Sequence, residues 1–217
     1  MKVTWLGHAS FLLESAEGVR IVTDPYKPGM YGLDYDDVGE SADVVTVSHE
    51  HDDHNNVAAV QGGPQVVKGT GSQEAKGLTF RGVAASHDEA QGSQRGPNTI
   101  FCFALDGLSV CHVGDLGHAL DDATAAEIGP VDLLLLPVGG NFTIDAAVAN
   151  GICEKLRPKV VIPMHFKNER CPNFPVAGVD DFVALRGNVR KLDGSELALT
   201  AGALPAETET VVLRPAR

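Results

Sequence analysis

The densest chemistry in the chain lies between His49 and His54, where three histidines and two aspartates fall within six residues, His-Glu-His-Asp-Asp-His. A His-x-His-x-Asp-His pattern arises by chance on the order of once in a thousand chains of this composition. His49 and His51 alternate with period two, so in an extended turn they project to one side and can grip one ion. Asp53 and His54 are adjacent and project differently, which suits a second ion a few ångströms away. Imidazole with carboxylate fits zinc, manganese, iron or nickel, whereas carboxylates alone point to magnesium or calcium. The preceding Val44-Val45-Thr46-Val47 reads as a buried strand. A strand that ends in a ligand-rich turn delivers those ligands to a sheet edge, where side chains can converge.

This motif resembles the signature of the metallo-β-lactamase superfamily. The resemblance extends over nearly the whole chain and is closest to the small, single-domain metal-dependent hydrolases related to ascorbate-6-phosphate lactonase. It implies two divalent metal ions, zinc foremost, with manganese, nickel and iron compatible. It implies His49, His51 and His87 as ligands of the first, and Asp53, His54 and His165 as ligands of the second, with Asp115 bridging. The three later residues sit in Ser86-His87-Asp88, Val113-Gly114-Asp115 and Pro163-Met164-His165, each just beyond a predicted strand. Two cations lower the pKa of a shared water, so a hydroxide is available near neutral pH to attack carbon or phosphorus. Asp53 can also orient that nucleophile or take its proton, so Asp53 and Asp115 are candidate catalytic residues as well as ligands. His118 is a candidate proton donor to the leaving group. His8, in Gly7-His8-Ala9-Ser10, either orients a ligand or touches substrate. Asn141 and Lys167 lie in two loops expected to shape the pocket, and Lys167 or Arg170 could hold an anionic group. His112 lies inside a strand and is expected to be a packed or surface residue.

These residues need a scaffold to position them, and the 217-residue length suits one domain, 1–217, with a sizeable core. The predicted elements begin with short strands at 2–6, 10–14 and 19–23, followed by a long loop over 26–41. A short helix is expected at 56–60, a strand at 65–68, a single helical turn at 72–76 and a strand at 78–85. A polar loop over 89–97 leads into the clearest hairpin, 98–105 with 108–113, turned by Asp106-Gly107. That turn places Cys102 opposite Cys111. Helices are expected at 121–128, from Thr143 to about 156 with the stripe Val148, Ile152 and Leu156, and at 179–186. Apolar strands fill 131–138 and 159–163, and three more fall near 189–192, 196–199 and 210–213. Pattern alone supports an α/β domain. The resemblance narrows that to an αββα sandwich of two mixed sheets with helices on the outer faces.

The formal net charge of −12 argues against a broad nucleic-acid footprint, which is normally basic. The N-terminal residues contain no long apolar run, so neither a signal peptide nor a membrane span is expected there. The four cysteines lack Cys-x-x-Cys spacing, which suits a reducing cytoplasm. The expected activity is therefore a metal-dependent hydrolase of a small ester, lactone or phosphoester. The alternatives are a nuclease or phosphodiesterase, and a non-enzymatic metal-binding protein. A small molecule is the expected partner, and a homo-oligomer is left open. An oxygen-reducing di-iron protein of the same superfamily usually carries Glu where this chain has His51, which disfavours that reading.

Overall fold

Strand direction decides where this chain can do chemistry. A computed structural model describes residues 1–217. In it β1 (Lys2–Gly7), β2 (Ser10–Glu14) and β3 (Arg20–Thr23) form an antiparallel meander. To this β4 (Val44–Val47) and β5 (Gln65–Lys68) add in parallel, and β13 (Glu196–Ala198) closes the other edge. The second sheet has eight strands in the order β12-β14-β11-β10-β9-β8-β7-β6. These are β6 (Gly71–Ala75), β7 (Leu78–Ser86), β8 (Pro97–Leu105), β9 (Leu108–His112), β10 (Leu133–Pro137), β11 (Val160–Met164), β12 (Val189–Lys191) and β14 (Glu209–Val212). Both sheets are mixed.

Two successive antiparallel pairings restore direction, so β1 runs with β3 and β4, and β7 runs with β9, β10 and β11. The C-terminal ends of β1, β3 and β4 therefore share one edge of their sheet. The ends of β7, β9, β10 and β11 share one edge of the other.

Alternation along the strands builds the core. Val3, Trp5, Phe11, Leu13, Ile21 and Val44 join the cluster that contains the eight-stranded sheet, while Leu6, Leu12, Val22, Val45 and Val47 point to the opposite face. That opposite face is covered by Tyr26, Leu33, Tyr35 and Val38 from the long loop after β3, where the only helical piece is the 3-10 turn Met30–Gly32. The helices belong with the eight-stranded sheet: Ile128 of α1 (Asp122–Ile128), Ala149, Ile152 and Cys153 of α2 (Ala146–Leu156) and Phe182 of α3 (Asp180–Val183) lie in its core cluster. No helix is long and apolar enough to cross a membrane.

Several local expectations are corrected. Residues 72–76 are not a helical turn but most of β6, because Lys76 and Gly77 both take positive φ (50° and 73°) and turn the chain tightly into β7. The helix expected at 56–60 is only the 3-10 turn Val57–Ala59, and that expected at 179–186 is the single turn of α3. Helix α2 is capped by Asp145, which accepts the Val148 N–H at 2.9 Å, rather than by Thr143. Its fully buried residues are Ala149, Ile152 and Cys153, with Val148 and Leu156 of the expected stripe partly buried against the same core. The hairpin of β8 and β9 forms as expected, with Cys102 facing Cys111 and their sulfurs 3.9 Å apart.

The two loops that leave β7 and β9 pack backbone against backbone. The Gly117 N–H donates to Ser86 O at 2.9 Å, and a Cβ at Gly117 would lie 2.3 Å from Asp88 N. Gly117→Ala must therefore push the 86–88 loop away. It is expected to lower stability by about 1–3 kcal/mol, read as a lower urea midpoint at unchanged m-value.

Candidate metal centre

The shared strand ends bring the sequence candidates together. His8 follows β1, Asp24 follows β3, and His49, His51, Asp53 and His54 follow β4. His87 follows β7, Asp115 follows β9 and His165 follows β11. After β4 the chain makes a tight turn, with the N–H groups of His54 and Asn55 both donating to His51 O at 2.9 and 3.1 Å. This turn carries Asp53 and His54 to a different side from His49 and His51.

The ligand atoms fall into two neighbouring groups. His49, His51 and His87 form one, and His8, Asp53, His54 and His165 the other, with the offered atoms of each group within 4.8 Å of one another. Asp115 lies between them. One of its carboxylate oxygens, Oδ2, is 3.2 Å from His54 Nε2, 3.2 Å from His87 Nε2 and 3.3 Å from His165 Nε2. These approaches lack the angles of hydrogen bonds, and both Asp115 Oδ1 and His54 Nε2 are buried with no partner. Buried polar atoms are nearly always satisfied, so orphaned atoms within one buried cluster point to a missing positive centre. The donor set of imidazole nitrogens and carboxylate oxygens is that of a transition-metal site.

A set of supporting contacts aims these side chains. Asp24 is buried and accepts from Ser48 N (2.8 Å), from the Ser48 hydroxyl and from His54 Nδ1 (3.0 Å). This fixes the His54 tautomer and turns Nε2 towards Asp115. Asn98 donates to Val113 O at 2.9 Å and accepts from Asp115 N at 3.0 Å, clamping the turn that carries Asp115. Gly114 in that turn has φ +57°, and a Cβ there would meet Asn98 Oδ1 at 2.4 Å and Ser48 Cβ at 2.5 Å. His8 Nε2 lies 3.2 Å from Asp53 Oδ2, and its carbonyl accepts from His165 N at 3.2 Å. His112 is packed, as expected, and its Nε2 donates to Ala9 O at 2.9 Å, tying one sheet to the other.

Charge is balanced within the cluster. Burial pushes the Asp115 carboxyl up, but the imidazoles of His165 and His54 outweigh it and hold it well below the usual carboxylate range. Burial pushes His54 down, yet Asp115 and Asp53 win and raise it well above an ordinary imidazole. Burial and the neighbouring His165 push His8 down to about 4, and burial with His54 pushes His49 down to about 3. The carboxylates thus stay ionised and His8 and His49 stay neutral near pH 7, while His54 carries a proton that a bound cation would displace.

A cavity of about 210 Å³ opens onto the cluster. His51, Asp53, His87, Asp115 and His165 line its polar part, and Tyr31, Phe142, Phe174 and Arg95 line the rest. Phe142 and Phe174 stack at 5.6 Å between centroids.

Four candidates, His118, Lys167, Asn141 and Arg170, do not line this cavity. His118 accepts from Ser86 N at 3.2 Å and donates through Nδ1 to Ala119 O at 2.9 Å, and it borders a separate depression beside Asp88 and Asp121. With both nitrogens engaged elsewhere it is not placed to protonate a leaving group. Lys167 is exposed and borders another depression with Asp180, Lys191 and Arg214. Asn141 is exposed, and its carbonyl, not its amide, approaches the cavity by accepting from Arg95 at 3.3 Å. Arg170 is paired with Asp36 at 2.8 Å, and Cys171 is buried against Tyr35 and Asn168. Sequence reasoning missed Asp24, whose Asp-Pro context looks like an ordinary strand stop, and Arg95, which sits in a polar loop.

Residues 2–165 match the family model of the β-lactamase superfamily domain. A UPF0173 metal-dependent hydrolase from Carboxydothermus hydrogenoformans is 32% identical over 206 residues, covering 83% of this chain and 88% of that protein. Another from Pyrococcus furiosus is 32% identical over 193 residues, covering 76% and 84%. A crystal structure from Thermotoga maritima, described as a candidate zinc-dependent hydrolase of the metallo-β-lactamase superfamily, is 39% identical. It superposes with a TM-score of 0.80 over 98% of this chain and 97% of that one. A metallo hydrolase from Ignicoccus hospitalis, 24% identical with a TM-score of 0.63, shares the fold over 92% of this chain and 99% of its own. With the fold, the buried His/Asp cluster and these relatives in agreement, the chain belongs to the UPF0173 metal-dependent hydrolases of the metallo-β-lactamase superfamily.

Proposed function

We propose that this chain hydrolyses a small ester, lactone or phosphoester with two divalent cations, zinc foremost. In this reading His49, His51 and His87 hold the first cation, Asp53, His54 and His165 hold the second, and Asp115 is shared. The observation that carries it is the meeting of three imidazole Nε2 atoms around one oxygen of Asp115, while the other oxygen and His54 Nε2 have no partner. When bound, the two cations supply Lewis acidity and a water that is nucleophilic near neutral pH.

The chain's own residues do the remainder. Asp53, ionised and hydrogen-bonded by His8, is the carboxylate that can orient the nucleophile and accept its proton. Phe142 and Phe174 present an apolar wall that excludes water beside the reacting group. The cavity of about 210 Å³ favours a small molecule, and the net charge of −12 weighs against a nucleic-acid strand. The likeness to ascorbate-6-phosphate lactonases makes a lactone the first ester to try. Four cysteines without disulfide spacing support a cytoplasmic location.

Asp115→Asn keeps the shape of the shared ligand and removes its charge. Elemental analysis should find close to two metal equivalents in the parent and about one fewer in the variant, with turnover of an aryl ester, lactone and phosphodiester panel down at least about a hundredfold. A variant with full metal and full turnover would overturn the two-cation reading. Chelation should lower the melting temperature, because the buried carboxylates lose their counter-charge, and zinc should restore it; calorimetry reads both changes. Asp24→Asn weakens the acceptor that aims His54. Competition with a chelator should show metal affinity reduced by about 10–100-fold while the far-ultraviolet circular dichroism is unchanged.

A further inference from the structure

The cavity has one cationic side chain in its lining, Arg95, and that cation has no anionic partner. Its Nη2 donates to Asn141 O at 3.3 Å, its guanidinium lies 5.8 Å from the centre of the Phe142 ring, and no carboxylate stands within ion-pair distance. Guanidinium offers five N–H donors, so most of its capacity is unspent. Nearby cations are spoken for: Arg170 pairs with Asp36, and Lys68 with Glu50.

Arg95 is also held in place rather than left to wander. The loop it ends is organised on buried Asp88, whose carboxylate accepts the backbone N–H groups of Ala90 (2.8 Å), Gly92 (2.9 Å), Gln94 (3.0 Å) and Arg95 itself (2.7 Å). The His87 N–H closes the loop on Gly96 O at 3.1 Å. One rigid loop therefore has a candidate metal ligand at its start and an unpaired guanidinium at its end. His51 and Arg95 together also border the adjoining open depression of about 580 Å³, so the cation stands where the cavity meets solvent.

We propose that Arg95 is a substrate-recognition residue, and that the substrate carries a second anionic group, carboxylate or phosphate, which Arg95 holds at the mouth while the scissile bond lies over the histidine cluster. The term substrate rests on the hydrolase reading above; the anion site itself does not. Guanidinium matches both groups through paired N–H donors, and the cation–π approach to Phe142, with the bond to Asn141 O, holds it beside the cavity. In a chain of net charge −12 such attraction is local, confined to about a Debye length of roughly 8 Å, so it selects at the mouth rather than steering from afar.

Two measurements on the metal-loaded full chain test this separately from hydrolysis. The first is calorimetric binding of benzenesulfonate, an aryl anion that is a poor metal ligand, to the parent, Arg95→Gln and Arg95→Lys. The parent should bind, Arg95→Gln should bind at least about tenfold more weakly, and Arg95→Lys should fall between, with 0.5 M salt weakening the parent most. No binding by the parent, or equal binding by Arg95→Gln, overturns the proposal even if esters are hydrolysed. The second is the ratio of kcat/KM for matched aryl esters bearing a remote carboxylate, a remote phosphate or neither. Arg95→Gln should cut the anionic-to-neutral ratio at least about tenfold, mainly through KM, and the larger fall marks which anion the site prefers. A fall in Lys167→Gln with none in Arg95→Gln also overturns it. If no ester is turned over at all, the hydrolase reading fails and the binding measurement alone decides the anion site.

Discussion

A carboxylate buried without a donor is tolerable only beside positive charge, and Asp115 is the group on which the structure turns. It sits in a fully buried environment with one oxygen facing three imidazole nitrogens and the other facing none. Removing a charge from water costs several kcal/mol, roughly, unless a counter-charge is held in place. The surrounding design supplies that hold. Asn98 fixes the Asp115 turn, Asp24 aims His54, and His8 touches both Asp53 and the His165 backbone.

The site also concentrates backbone conformations that side chains normally avoid. His8 (φ 51°), Asp24 (φ 37°) and His165 (φ 51°) each take positive φ directly after a strand. Each such residue costs on the order of 1–3 kcal/mol and persists only where its surroundings over-determine it. Here the surroundings are two sheets whose codirectional strands end at common edges, joined across the interface by His112 to Ala9 and by His165 to His8. A kinked exit after each strand accompanies the contacts these residues make within the cluster: His8 with Asp53, Asp24 with His54, and His165 with Asp115.

The segments that line the cavity are chiefly those the sheets do not consume. Tyr31 comes from the long loop that covers one face of the six-stranded sheet, Arg95 from the loop nucleated by Asp88, and Phe142 and Phe174 from loops after β10 and β11. Strand ends carry the buried histidine and aspartate cluster and loops form most of the cavity wall, a division in which the wall can vary without disturbing the cluster. The aromatic and cationic walls differ from the histidine floor for that reason.

Much of this was legible in the sequence. The run His49 to His54, and His87, Asp115 and His165, each follow an apolar stretch that ends abruptly, and strand ends are readable because hydrophobic burial imposes local order on residue type. The β8–β9 hairpin, with Cys102 opposite Cys111, was equally readable because a two-residue Asp-Gly turn fixes register. The tertiary structure decided the rest. It turned 72–76 into an edge strand, gave Asp24 a role that Asp-Pro does not announce, withdrew His118 and Lys167 to other surfaces, and set Arg95 at the cavity mouth. Residue type and local period determine which segments are strands and where they stop. The direction in which a loop side chain points depends on partners far away in the chain, such as Asn141 for Arg95 and Ser86 for His118, and no local pattern encodes those contacts.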